Sequence, residues 1–286
     1  MGPSRRVRRM NRIRTFLGAA LGLFGLTVTA AADDAKPAPP DVEVTYELYF
    51  LGIPLGEIGF SANIQGKNYT ALSTLATEGI VNAFWHARIQ ATTRGVLDGE
   101  HAEPSLYYST SQYGKTVQHV TLTYPASGPP TFVADPKITD ELSLKMADAF
   151  KENTLDPVSA MVTLATSVGA NETKPCGVSL PIYDARRRYD VALSYVKTAK
   201  VSTGLYAGPA ELCAIGYHPL AGPKQEVMNV RRTPPMYAWL VPVRDPADGS
   251  RVYMVPLRIW VETTWGNGTA LISEIKLAGN KIAKLN

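Results

Sequence analysis

The sequence predicts a mainly β protein, a curled antiparallel sheet or incomplete β-barrel with one main amphipathic helix. Three observations carry this reading. Apolar residues recur at every second position over most of the chain. More than ten such runs are separated by short turn-like breaks, and only one stretch combines helical spacing with an N-terminal cap. A sheet with so many strands curls, splits or closes, because strand twist accumulates across it. A β-sandwich is the alternative arrangement of the same strands.

The elements follow in order. In VEVTYELYF, Val42, Val44, Tyr46, Leu48 and Phe50 share one face, while Glu43, Thr45, Glu47 and Tyr49 share the other, as in a half-buried strand. Gly52-Ile53-Pro54-Leu55-Gly56 reads as the turn, after which Ile58, Phe60, Ala62 and Ile64 continue an apolar face. Further runs lie at 68–78, 83–97, 104–113 and 115–124, the last two joined as a hairpin by Gly114-Lys115. Within 83–97, Trp85, Ala87, Ile89 and Ala91 form one face. His86, Arg88, Gln90 and Thr92 form a polar row that is either a solvent-facing surface or the wall of a partly filled barrel. ELSLKMADAFKENT fits helix or loop. In TLDPVSAMVTLATSVG, Asp156 is placed to cap a helix and Pro157 to occupy its first position, where a missing N–H costs nothing. Val158, Met161, Val162, Ala165 and Val168 then recur at helical spacing, and Gly169 is placed to end it. The stripe is expected to pack against the sheet. Strands resume at about 178–183, 187–197, 209–217, 225–232, 236–243, 251–265 and 269–277.

The N-terminus reads as a secretory signal peptide over 1–32. Six arginines precede the apolar run FLGAALGLFGLTV, and Thr29-Ala30-Ala31-Ala32 supplies small residues for cleavage. The run is too short to span a bilayer permanently, which takes about 20 apolar residues. Residues 33–41 form a Pro-rich lead-in, and 42–286 a single β-rich domain. The whole chain carries 29 basic and 25 acidic residues. Without residues 1–32, which hold six arginines and no acid, the balance becomes 23 against 25, a net charge of about −2. Such a surface offers no electrostatic basis for binding nucleic acid. The two cysteines, Cys176 and Cys213, are expected to pair in an oxidising compartment, and the expected location is the periplasm.

Chemistry is sparse. G-x-S-x-G, H-E-x-x-H, G-x-x-x-x-G-K-[ST] and G-x-G-x-x-G are all absent, and no cofactor or metal is expected. The four histidines, His86, His101, His119 and His218, are dispersed, and Asp98-Gly99-Glu100-His101 reads as an exposed turn. The run Arg186-Arg187-Arg188 follows a turn at Asp184-Ala185. Strand alternation sets Arg187, Tyr189, Val191 and Leu193 on one face, and Arg186, Arg188 and Asp190 on the other. Three convergent guanidinium groups are therefore not expected. Arg188 is placed to pair with Asp190, and Arg186 and Arg188 remain candidates for contacting an anionic head group.

Four stretches carry a family resemblance. They are the hairpin from Tyr46 to Ala62 with Gly52 and Gly56; Asp156-Pro157-Val158-Ser159-Ala160; Pro181-Ile182-Tyr183-Asp184 running into Arg187-Arg188-Tyr189; and Tyr206-Ala207-Gly208-Pro209-Ala210 leading to Cys213, with a last strand pair from Val255 to Leu277. Over about residues 42–277 the chain resembles domain of unknown function 3108, a family of uncharacterised proteobacterial periplasmic proteins. The resemblance implies export and a β-rich fold similar to curled lipoprotein-carrier barrels. It implies no reaction and no catalytic residue. Asp184-Ala185 stands where such proteins usually have Asp-Gly, and alanine resists the positive φ of a primed turn.

The function expected is that of a non-enzymatic envelope protein binding an apolar ligand, such as a lipid or acyl chain, or a protein partner in a β-barrel concavity. Trp85, Ile89, Tyr189, Leu193, Trp239 and Trp260 are the candidate lining residues, with Arg186 and Arg188 at the rim. The alternatives are an envelope hydrolase with a dispersed site and a structural partner in envelope assembly that presents the helix face around Met161 or a sheet edge.

Overall fold

Strands β1 (Val42–Phe50), β2 (Ile53–Gln65), β3 (Asn68–Thr77), β4 (Ala87–Asp98), β5 (His101–Tyr113), β6 (Thr116–Thr123) and β7 (Thr131–Asp135) form one run of neighbours. A connection follows that holds the short helix α1 (Glu141–Leu144), a 3-10 turn (Asp148–Phe150) and the main helix α2 (Pro157–Thr166). The second run is β8 (Ser179–Tyr183), β9 (Arg188–Ser202), β10 (Ala207–Ala221), β11 (Met236–Arg244), β12 (Val252–Thr263) and β13 (Gly266–Leu277), with a two-residue β14 (Asn280–Lys281) on β13. The structure is a computed structural model describing residues 38–285 except 80–81, 83–85, 100, 168–175, 224–233, 247–248 and 250. The signal peptide, most of the lead-in, Trp85, Gly169 and the strand expected at 225–232 lie outside the described residues.

One antiparallel sheet results, in the order β7-β6-β5-β4-β3-β2-β1-β13-β12-β11-β10-β9-β8. Each half is a meander of sequence neighbours, and the two halves are joined by the pairing of β1 with β13, from Val42↔Leu277 to Phe50↔Gly268. The sheet therefore stays open between β7 and β8, the two strands that flank the helical connection. Its core runs along the inward faces of both halves, and the expected alternation is visible in β1, where Val42, Val44 and Tyr46 are buried.

The open seam is bridged by side chains and by one stretch of backbone. Leu155 pairs with the free edge of β8, accepting from Tyr183 N at 2.9 Å and donating to Pro181 O at 2.8 Å. Gln118 of β6 donates to Pro136 O at 2.7 Å and accepts from the Arg186 guanidinium, while the Ser143 hydroxyl donates to Arg186 O at 3.0 Å. Behind β8, a disulfide joins Cys176 to Cys213 of β10 across β9, with Cα atoms 5.7 Å apart.

Local differences from the sequence expectation have physical causes. The first hairpin turns on two residues, Leu51 (φ 53°) and Gly52 (φ 81°), rather than five, and β2 resumes at Ile53. Positive φ at both positions matches the twist of the flanking strands. Strand β7 was not anticipated, because only five residues lie between the prolines at 129–130 and 136. The 141–154 stretch is one turn of helix capped by Asp140, then the 3-10 turn. Arg186 and Arg187 belong to a turn and β9 begins at Arg188, so strand alternation governs only the last of the three arginines. Ala185 does adopt a positive φ, 73°, with its methyl group fully buried. The Asp184 carboxylate holds that turn by accepting from Arg186 N at 3.0 Å and Arg187 N at 2.7 Å.

Candidate ligand cavity

Helix α2 begins where the sequence places it. The Asp156 carboxyl, fully buried, accepts from Val158 N and Ser159 N at 2.9 Å each, satisfying two of the orphan donors of the first turn. Its second oxygen accepts from Thr93 Oγ1 at 2.9 Å and from the Ser159 hydroxyl. Tyr69 Oη lies 2.8 Å from Ser159 Oγ, and Thr163 Oγ1 accepts from Ala102 N at 3.1 Å. Gly95 makes room for the tyrosine, since a Cβ there would fall 2.1 Å from Glu103 O and 2.8 Å from the Tyr69 hydroxyl. At 100° per residue, Asp156, Ser159 and Thr163 share one side of α2 and fasten it to β3, β4 and β5. The helix is thus enclosed on its polar side as well as along its apolar stripe. Burial pushes the Asp156 pKa up, and the four hydrogen bonds pull it back without cancelling the rise. With its oxygens committed to these donors, Asp156 is a fastening rather than a base for Ser159.

The opposite side of α2 faces an apolar cavity of about 190 Å³. Met161, Leu164 and Ala165 form its floor, the inward faces of β1 and β2 from Val42 to Phe60 one wall, and β12 around Met254 the other. Sheet topology creates the space. β12 pairs with β13 only from Arg258↔Leu271 to Thr263↔Gly266. Beyond that point Val252–Pro256 pair with β11, and β13 from Ile272 to Leu277 with β1, so β12 and β13 part there. A larger hollow of about 1140 Å³ lies at the strand ends of β3, β4 and β5. It combines exposed Arg94, His101 and Glu103 with inward Tyr69 and Thr163, so it wraps the rim instead of forming one chamber.

None of the described residues nominated from the sequence lines the apolar cavity. Ile89 is half-buried in β4 opposite Leu75 and Ser111. Tyr189 lies tilted against Tyr217, ring centroids 5.0 Å apart, and packs against Ala160, Leu180 and Ile182. Leu193 packs around the disulfide with Ala238, Leu240 and Met254. Trp239 borders a separate hollow with Leu257 and Arg258. Trp260 stacks on Tyr237 at 5.3 Å beneath the Arg258 guanidinium and donates to Glu262 at 3.1 Å, which puts it among charged groups. Arg186 is engaged with Gln118, and Arg188 pairs with Asp190 at 2.6 Å as expected. The residues that do form the cavity were legible as buried faces of the first hairpin and of α2. Nothing local marks that a space is left between them.

Other chemistry is dispersed. His86 bonds Asn82 at 2.7 Å, His119 lies 2.9 Å from the Tyr108 hydroxyl and 3.1 Å from that of Thr110, and among the described residues no histidine hydrogen-bonds a serine or a carboxylate. The polar row of β4 is exposed at Arg88, Gln90 and Thr92 and half-buried at His86, which makes it an outer surface. Among the described residues no group of three or more His, Cys, Asp or Glu is placed to hold a metal, and no helix is long and apolar enough to cross a membrane.

The family model described as protein of unknown function (DUF3108) matches residues 45–273. Among solved structures, the chain is similar to the beta-barrel-like protein of domain of unknown function DUF1849 from Brucella abortus. The two are 12% identical, the likeness covers 84% of this chain and 98% of that one, and the TM-score is 0.53. At that identity the likeness is one of fold. No curated protein matches the chain.

Proposed function

The chain belongs to the DUF3108 family of proteins of unknown function, and we propose that it is a non-enzymatic protein of the periplasmic envelope that holds an apolar ligand, such as part of a lipid acyl chain, between α2 and the curled sheet. The cavity carries this reading. Protein interiors are close-packed, so an apolar hollow of about 190 Å³ leaves its lining short of contacts that an apolar guest supplies. Most of that lining offers water no hydrogen-bond partner, which favours an apolar guest. Met161 and Met254 supply flexible, polarisable walls that adapt to a guest. A cavity of about 150 Å³ accommodates benzene, so this one takes the end of a chain rather than a whole lipid.

Binding rather than catalysis is supported by the separation of the histidines from serines and carboxylates and by the full commitment of Asp156. Export is supported by the basic and apolar N-terminal sequence and by the Cys176–Cys213 disulfide. A partner docking on α2 has no support, since the helix is enclosed and Met161 faces the cavity.

Native mass spectrometry of protein purified from the periplasm tests the proposal. The wild type is expected to carry a co-purifying apolar compound, and Ala165→Leu, which narrows the cavity, is expected to lose it. A ligand-free wild type that takes up no added fatty acid overturns the reading.

A further inference from the structure

Two buried phenols, Tyr124 and Tyr253, carry a hydroxyl with no hydrogen-bond partner among the described residues. Tyr124 borders the larger hollow along the rim, and Tyr253 borders the apolar cavity. Tyr253 is 1% exposed and stands on the inward face of β12, in one core cluster with Val42, Val44 and Val255. Burial pushes its pKa up to about 12, so the group is a neutral O–H at physiological pH. The charges that act on it are Arg251, Asp41 and Asp245, and Asp41 directly precedes Val42 of the cavity wall. The hydroxyl therefore lies at the end of the cavity marked by Val42. From nearby the Arg251 guanidinium draws the pKa down, but it makes no hydrogen bond of normal geometry with the phenol oxygen. It pairs with Asp41 at 3.4 Å. Buried polar groups are almost always paired, and leaving one unpaired is costly. Phenylalanine would fill the space of the ring without that cost.

Among the described residues that line the cavity, none is charged. An anionic ligand end at the Tyr253 hydroxyl would face two carboxylates, Asp41 and Asp245, against one guanidinium already shared with Asp41. It would also lose its hydration without compensation. A neutral oxygen needs only the one donor that the phenol offers, in an otherwise apolar chamber, the usual composition of a small-molecule pocket. We propose that the cavity binds an apolar molecule whose buried end is a neutral hydrogen-bond acceptor, a ketone, ester or alcohol oxygen, which accepts from Tyr253 Oη while the hydrocarbon part lies against Phe60, Met161 and Met254. This rests on the reading of the cavity as an apolar ligand site and adds the chemistry and charge of the ligand's buried end: an esterified acyl chain fits it, and a free carboxylate does not.

Calorimetric titration at neutral pH with isopropylbenzene, acetophenone and benzoate, three probes of nearly equal shape, tests it in the wild type and in Tyr253→Phe. The variant loses only an unpaired hydroxyl, so it is expected to fold with an unchanged or higher melting temperature. Isopropylbenzene is expected to bind both proteins within two-fold. The affinity of acetophenone relative to isopropylbenzene is expected to fall about 2- to 13-fold in Tyr253→Phe, the span of one neutral hydrogen bond. Benzoate is expected to bind the wild type at least about 10-fold more weakly than acetophenone. If isopropylbenzene binds but the ratio is the same in both proteins, or acetophenone does not bind, the Tyr253 anchor is wrong and the apolar cavity stands. Benzoate binding as tightly as acetophenone would overturn the neutral end. If neither isopropylbenzene nor acetophenone binds the wild type, the cavity reading fails and the anchor fails with it.

Discussion

Asp156 shows how one residue can serve local and tertiary structure at once. Its cap position was readable from Asp-Pro at the head of an apolar stripe, because the cap and its N–H donors are sequence neighbours. Its other partners were not: Thr93 lies 63 residues away, and Tyr69 lies 90 residues from Ser159. Burial raises the folded pKa of the carboxyl above the unfolded value of about 3.9. Between those values the native state binds more protons than the unfolded state, so this group makes stability fall as pH rises through that window. Asp156→Asn keeps an acceptor for the helix N–H groups and removes the ionisation. In urea denaturation the wild type is expected to lose stability relative to Asp156→Asn as pH rises above about 4, with a constant difference between the two at lower pH. Parallel profiles would refute this. Asp156→Ala is expected to be less stable at every pH, by about 1 to 2 kcal/mol for the lost cap. The arginine run teaches the complementary lesson: its charges look like a site, but Arg186 ties the β8–β9 turn to β6 and Arg188 pairs with Asp190.

At the level of elements, repetition made the fold readable. Hairpin strands declare themselves through period two, and α2 through its cap, its proline and its 3.6-residue stripe. What local pattern omitted was the second buried side of α2, since Ser159 and Thr163 look like solvent-facing residues until β3, β4 and β5 close over them. The helix is a core element, and its stability contribution follows from that. Val162, which has no exposed surface, is expected to cost about 2 kcal/mol when changed to alanine, from lost apolar burial and the void left behind. Val117→Ala on β6, where the side chain is 37% exposed, is expected to stay within about 0.5 kcal/mol. Equal losses from the two substitutions in chemical denaturation would mean that α2 does not pack as described.

The whole molecule is an open sheet whose edges are secured by other means than strand pairing. Leu155 pairs with β8, Arg186 and Gln118 reach across the seam, and the disulfide holds the approach to β8 against β10. Its cysteines are 37 residues apart, a loop whose closure restricts the unfolded chain by about 4 kcal/mol in the entropy model. Cys176→Ser and Cys213→Ser are expected to lower stability by similar amounts of that order in oxidising buffer, and to make no difference once the wild type is reduced. Two titratable thiols in the native wild type would exclude the pairing. Most strands, the capped helix, the paired cysteines and a curled antiparallel sheet could be read from the chain, because period, caps and composition are local or additive properties. The position of the cavity could not. It exists because β12 leaves β13 beyond Arg258↔Leu271 while the first hairpin and α2 close around the gap. Those segments meet only when β1 zips onto β13 from the far end of the chain, and no local pattern records where two well-packed faces fail to touch.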